Sequence, residues 1–185
     1  FGGTAQERIQ LNEESLWDGY ERDATNPEAL EALPEVRRLI FEGKNKEAEE
    51  IALEKMVGRP GRIKSYQTLG DFMLSFPSNQ QHDSYVRYLD LETGITGTVY
   101  VSDGVTYRRE VFASVPDQLI VVRCSADTPG KINVKATITR PQDAETFCLE
   151  DNRLVLRGQI QSPREDTGEN AGMRFECHIL PVHFG

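Results

Sequence analysis

The run Ile95-Thr96-Gly97-Thr98-Val99-Tyr100-Val101-Ser102-Asp103-Gly104-Val105-Thr106-Tyr107-Arg108-Arg109-Glu110-Val111-Phe112-Ala113 settles the fold class. Ile95, Val99 and Val101 keep step on the way in. Val105, Tyr107, Val111 and Ala113 share one face on the way out. A period of two marks a strand with one dry face. Between the two runs, Asp103-Gly104 is a two-residue turn whose backbone twist matches that of paired strands. The segment is predicted as a β-hairpin.

The same period recurs on either side. Gln6 to Leu11, after Phe1-Gly2-Gly3, alternates with Ile9 and Leu11 on one face. Phe72, Leu74 and Phe76 alternate, and Tyr85, Arg87, Leu89 and Leu91 share a face. Leu119 to Cys124 is almost continuously apolar and is expected to be a central strand, buried on both sides. After a turn at Pro129-Gly130, Ile132, Val134, Ala136 and Ile138 alternate with polar residues. Asp151-Asn152 turns into Leu154, Leu156 and Ile160. Ser162 to Gly172 is polar and reads as a long exposed loop, and Met173, Phe175, Cys177 and Ile179 make a last strand. Roughly nine or more short strands separated by turns predict a mainly β chain: an antiparallel two-sheet β-sandwich.

Residues 27–57 differ in kind. Asn26-Pro27 is a helix-start signal, and Pro34 repeats it. Val36, Leu39 and Ile40 fall at helical spacing until Gly43. Ala48, Ile51, Ala52 and Met56 then form one apolar stripe, with Lys46, Glu47, Glu50 and Glu54 elsewhere on the cylinder. Gly58 and Pro60 stop the pattern. Two short helices are predicted here, as an insertion in one domain covering 1–185.

The chain carries 21 Lys+Arg against 30 Asp+Glu, a formal charge of −9. That balance argues against nucleic acid and against anionic membrane as partners. No apolar run approaches the roughly 18–20 residues of a membrane span. The chain starts at Phe1 and reads as a processed or excised piece, so a missing leader says nothing about compartment.

Three cysteines, Cys124, Cys148 and Cys177, include no Cys-x-x-Cys pair, and their ordinary reading is as small buried hydrophobes. Cys177 and His178 are adjacent, hence on opposite faces of a strand. His82, His178 and His183 show no ligand spacing, so no metal and no cofactor is expected. The sequence holds no Gly-x-Ser-x-Gly elbow, phosphate loop or His-Glu-x-x-His.

A glycosidase needs two carboxyl groups across a sugar ring. Glu13 and Glu14 are adjacent, so their side chains diverge. Trp17, the only tryptophan, is either a core residue under a helix or a surface ring of the kind that stacks on sugars or anchors an interface. Asn12 and Glu13 are expected to fix the backbone of the same loop. Arg59, Arg62 and Lys64 make a compact basic group. Asn12, Glu13 and Trp17 are therefore the candidates for carbohydrate binding or for an interdomain contact, and no catalytic residue is assigned.

Several segments, in order, carry a family resemblance. They are Gly2-Gly3 through Leu11-Asn12-Glu13-Glu14-Ser15-Leu16-Trp17, Leu33-Pro34-Glu35-Val36-Arg37-Arg38-Leu39-Ile40 on to Ala48-Glu49, and Ser65-Tyr66-Gln67-Thr68-Leu69-Gly70-Asp71. Tyr88-Leu89-Asp90-Leu91, Asp103 to Ser114 and Pro116-Asp117-Gln118 complete the set. Together they resemble the amino-terminal domain of the glycoside hydrolase family 95 fucosidases.

The resemblance implies a supersandwich-type β domain that precedes a helical linker and a catalytic (α/α)6 barrel, with a further β domain after it. It implies hydrolysis of terminal α-L-fucosyl linkages, commonly α-1,2, with inversion. Every catalytic group would then belong to the barrel, which is absent from this chain, so the piece alone would be inactive. The partners implied are that barrel and the parent's glycan substrate, in an extracellular or periplasmic setting. An autonomous carbohydrate-binding module is the alternative.

Overall fold

The structure, a computed structural model, describes residues 2–61, 64–76 and 82–184. Phe1, read with the first glycines, and Arg62, read with the basic group, lie outside the described residues. Among the described residues the chain is mainly β, with three antiparallel sheets and two short helices. It divides into two compact units. One comprises Phe1–Glu13, Thr68–Gln159 and Arg174–Gly185, and the other Glu14–Gln67 and Ile160–Met173.

The first unit holds the sheets. One has the order β1-β2-β7, with β1 at Gln6–Leu11, β2 at Gly70–Ser75 and β7 at Lys135–Thr139. A second has the order β3-β4-β5-β6: β3 is Ser84–Asp90, β4 Ile95–Ser102, β5 Val105–Ser114 and β6 Leu119–Ala126. The third has the order β10-β9-β8, built from β8 at Ala144–Cys148, β9 at Leu154–Gln159 and β10 at Arg174–Ile179. The predicted hairpin is β4–β5. Ser102 pairs with Val105, and Asp103 and Gly104 carry φ of 50° and 73°. Two positive values in a row are what a two-residue hairpin of this twist demands.

The core of this unit is drawn from strand interiors: Phe72 and Leu74 on β2, Ile138 on β7, Val155 and Leu156 on β9, and Phe175 on β10. Val155 and Leu156 point to opposite faces and are both buried, so β9 is the strand covered on two sides. The Thr146 hydroxyl donates to the Ile138 carbonyl at 2.8 Å and ties β8 to β7.

Four expectations change. The apolar run from Leu119 is not central: β6 is the last strand of its sheet, and Leu119 and Ile120 are 49% and 51% exposed. A continuous apolar run reports two apolar faces, not two neighbouring strands. Ile132 and Val134 precede β7 rather than lying in it, and both are exposed.

The cysteines are not core residues. Cys124 and Cys177 are half-buried and Cys148 is exposed, because β6, β8 and β10 are each a sheet edge. Burial pushes the Cys124 and Cys177 thiols up. A raised thiol carries less thiolate at any pH near neutrality, and thiolate is the nucleophile. Iodoacetamide at about pH 8 should therefore alkylate Cys148 several-fold faster than the other two, as read by peptide mass mapping. Equal rates at all three would contradict this placement.

The second unit holds α1 at Ala29–Phe41 and α2 at Asn45–Lys55. Asn26 caps the turn that enters α1: its Oδ1 accepts from the Glu28 amide and its Nδ2 donates to the Val57 carbonyl, both at 3.1 Å. Pro34 does not start a helix. It sits inside α1, one turn beyond the positions where a missing amide costs nothing. Val36, Leu39 and Ala48 form the buried centre of the helix pair, with Ile51, Ala52 and Met56 packed on it. The stripe read from the sequence is thus the helix–helix contact, although Ile40 faces outward at 52% exposure.

Candidate functional site

In the helical unit, Leu16 and Trp17 lie in a short extended stretch held against residues 65–67. Trp17 and Tyr66 form an isolated antiparallel bridge. The Asp18 amide donates to the Ser65 carbonyl, and the Gln67 amide to the Leu16 carbonyl, each at 2.9 Å. Leu16 is fully buried and anchors the stretch.

Alternation then turns Trp17 the other way, and the structure decides its two readings: it is a surface ring. Its indole Nε1 donates to the Glu14 carbonyl at 3.1 Å. Its ring meets Tyr66 edge to face, with centroids 5.3 Å apart and planes at 62°. The polar edge of the indole is thereby satisfied by the chain itself, and Trp17 and Tyr66 are both exposed.

Asn12 and Glu13 fall in the other unit, exposed, just beyond the end of β1. The three candidates therefore divide, two into the sheet unit and Trp17 into the helical one. Tyr66, the ring that Trp17 meets, was not among the candidates. Its only signal was an aromatic in an otherwise polar run.

In the sheet unit, the strongest electrostatic feature joins β1 to β5. Glu7 and Arg109 are 2% and 3% exposed, and Arg109 Nη1 donates to Glu7 Oε2 at 2.5 Å. Both Glu7 oxygens accept from the Gly2 amide at 2.9 Å. Arg109 Nη1 also donates to the Gly3 carbonyl at 3.0 Å, and the guanidinium lies 4.4 Å from the centre of the Phe76 ring. The Tyr85 hydroxyl donates to the Gly2 carbonyl at 2.6 Å. Gly2 has a φ of 95°, and a Cβ there would meet that hydroxyl at 2.8 Å, so the position takes glycine. A small groove of about 230 Å³ runs beside the pair, lined by β1 and by Thr96, Thr98 and Val111. Burial raises the Tyr100 hydroxyl and the Cys124 thiol nearby, against the opposing pull of Arg109.

A wider cleft of about 690 Å³ opens over one end of the β8–β9–β10 sheet. Glu145, Arg157 and Glu176 stand directly across from one another on the three strands. Two strand spacings put the backbones of the outer glutamates roughly 9–10 Å apart, a spacing that invites comparison with an inverting pair. The chemistry does not follow. Arg157 occupies the space between them and donates to Glu176 at 2.5 Å. His178, at 3.0 Å, and then Arg157 hold the Glu176 carboxyl below its usual range. A general acid needs the opposite shift. The row is a charge ladder on a sheet face, and Glu176 is not its general acid.

The described residues make a mainly antiparallel β unit and a helical unit, and the buried charges of the β unit, Glu7 and Arg109, form a structural pair. A family profile for the glycosyl hydrolase family 65 N-terminal domain matches residues 1–182. The chain belongs to that family of amino-terminal domains.

Among curated relatives, it is 36% identical over 172 residues to alpha-L-fucosidase 2 of Arabidopsis thaliana, covering 89% of this chain and 20% of that protein. It is 30% identical over 170 residues to probable alpha-fucosidase A of Aspergillus niger, with 86% and 20% covered. To probable alpha-fucosidase A of Aspergillus oryzae it is 26% identical over 148 residues, with 76% and 18% covered. The amino-terminal domain and the likeness to fucosidases, both expected from the sequence, are found. The chain spans about a fifth of the length of the relatives it matches.

Proposed function

We propose that this chain is the non-catalytic amino-terminal domain of an α-L-fucosidase-type glycoside hydrolase, and that it braces a catalytic (α/α)6 barrel in the same polypeptide. In this reading the sheets stack as a two-layer sandwich, and the parent acts with inversion on terminal α-1,2-fucosyl linkages of glycans outside the cytoplasm. The observation that carries it is the match of nearly the whole chain to an amino-terminal-domain profile, while the chain equals a fifth of relatives named as fucosidases.

The surface gives physical support. Val86 and Leu89 on β3, Val115 after β5, and Leu119 and Ile120 on β6 are all more than 45% exposed, and β3 and β6 are the two edges of one sheet. Exposed apolar side chains along sheet edges suit burial against another domain. Placing two carboxyl groups and a water within a fraction of an ångström is costly without such rigid support.

The test is hydrolysis of a 2′-fucosylated oligosaccharide. The chain alone should release no fucose above buffer, whereas the longer polypeptide should turn over. Release by the chain alone would refute the reading. Ile120→Asp should lower the melting temperature of the longer polypeptide more than that of the chain alone.

A further inference from the structure

We propose that Trp17 and Tyr66 form a docking corner for a single neutral pyranose ring of a glycan. The proposal rests on the reading of the chain as a glycosidase domain, and it adds a ligand contact of the domain's own.

Rigidity is the first argument. The two residues are held by a backbone bridge and by flanking amide bonds on both sides, next to the fully buried Leu16. Little conformational freedom remains to be lost when a ligand docks. Orientation is the second. The indole N–H is spent on the Glu14 carbonyl, and two partly exposed rings meet edge to face with their planes at 62°. The apolar face of a pyranose, a patch of C–H groups, packs on such a surface.

Area decides between a sugar and a protein partner. Trp17 and Tyr66 are each 41% exposed. Aromatic side chains present about 150–250 Å², so the pair offers on the order of 150 Å² together. That suits one sugar ring and falls far below the ~800 Å² per partner of a stable protein interface. The rim agrees. Asp18 follows Trp17, and the Lys64 side chain lies over Gly19 at 3.1–3.5 Å from where a Cβ would stand. Residues of both charge signs thus stand close along the chain to the two rings, which suits a neutral hydroxylated ligand better than a charged one.

Trp17 is the sole tryptophan of the chain, so its emission reports on this corner alone. The experiment titrates the chain with 2′-fucosyllactose, with lactose, and with sorbitol as an open-chain polyol, and repeats the series on Tyr66→Ala and Tyr66→Phe. A saturable emission change is expected, half-complete at about millimolar sugar, the affinity one ring supports. It should weaken at least ~10-fold in Tyr66→Ala and persist in Tyr66→Phe, where the ring remains.

A response to both sugars identifies a general pyranose corner, and a response to the fucosylated sugar alone narrows the ligand to fucosides. No saturable change with either sugar, an equal change with sorbitol, or a full response in Tyr66→Ala with an unchanged circular-dichroism spectrum would overturn the proposal. The outcome is separate from the hydrolysis test: an amino-terminal domain with a silent Trp17 keeps the proposed function and loses only this site.

Discussion

Arg109→Ala lowers the free energy of unfolding by roughly 3–5 kcal/mol, because it strands the Glu7 carboxylate in a place where water cannot reach it. Glu7 is 2% exposed. In the intact chain its two oxygens share the Gly2 amide and the Arg109 guanidinium. Removing the cation leaves one amide to neutralise a buried charge. The Gly3 carbonyl loses its donor in the same step, and the Phe76 ring loses the cation above it.

With a urea slope of about 1–3 kcal/mol/M, the midpoint should fall by at least ~1 M. The matched control is Arg38→Ala. Arg38 pairs with Glu35 and Glu42 at 2.6 and 2.5 Å but is half exposed. Exposed ion pairs are screened by water and contribute little, so its loss should move the urea midpoint far less than Arg109→Ala does. The double variant Glu7→Leu/Arg109→Leu should cost less than the two single changes summed, by ~0.5–3 kcal/mol, since no charge is then left unpaired. Equal losses for Arg109→Ala and Arg38→Ala would show that burial does not set the strength of the pair.

How far such features can be read in advance depends on whether the signal is local. The β4–β5 hairpin is written in two side-chain periods and one turn dipeptide, all within twenty residues. The helix pair is likewise written in its own stripe, from Val36 to Met56. Glu7 and Arg109 also left a mark. Glu7 falls in phase with Ile9 and Leu11, and Arg109 with Tyr107 and Val111, so each is a charge on a face meant for the core. That two such charges meet across more than a hundred residues belongs to the sheet order, which no local pattern encodes.

The β6 run misled for the same reason. Its two apolar faces are legible, but its place as the outermost strand depends on which strands fold beside it. Pro34 misled differently. A helix start and a tolerated interior proline share one residue type, and the packing of Val36 and Leu39 decides between them. For Trp17 the sequence offered core and surface alike. The bridge to Tyr66, which forms only once residues 15–18 and 65–67 lie side by side, chose surface.

Gly158 offers a second large effect, one that depends on close approach rather than charge. Gly158 lies on β9, paired with Ala144 on one side and Phe175 on the other. A Cβ built there would stand 2.0 Å from the Asp143 carbonyl oxygen and 2.4 Å from Cζ of Phe175. The strand cannot retreat, because its register is fixed on both edges and its neighbours Val155 and Leu156 are buried on opposite faces.

The Phe175 ring must therefore leave its place, and Arg140 goes with it. That guanidinium sits 4.6 Å from the ring centre, donates to the Gln142 and Thr68 carbonyls, and is held below its ordinary pKa by burial. Displacing a buried Phe is worth roughly 3–5 kcal/mol, so Gly158→Ala should lower Tm by roughly 6–20 °C for a chain of this size. Phe175→Ala in the same background removes one obstacle and leaves the other, the Asp143 carbonyl. The double variant should thus lose less than the two single changes summed, by ~0.5–3 kcal/mol, yet remain well below the parent chain. A Tm for Gly158→Ala within about 2 °C of the parent would mean that the strand yields, and that ring and backbone at this point are less tightly opposed than the distances state.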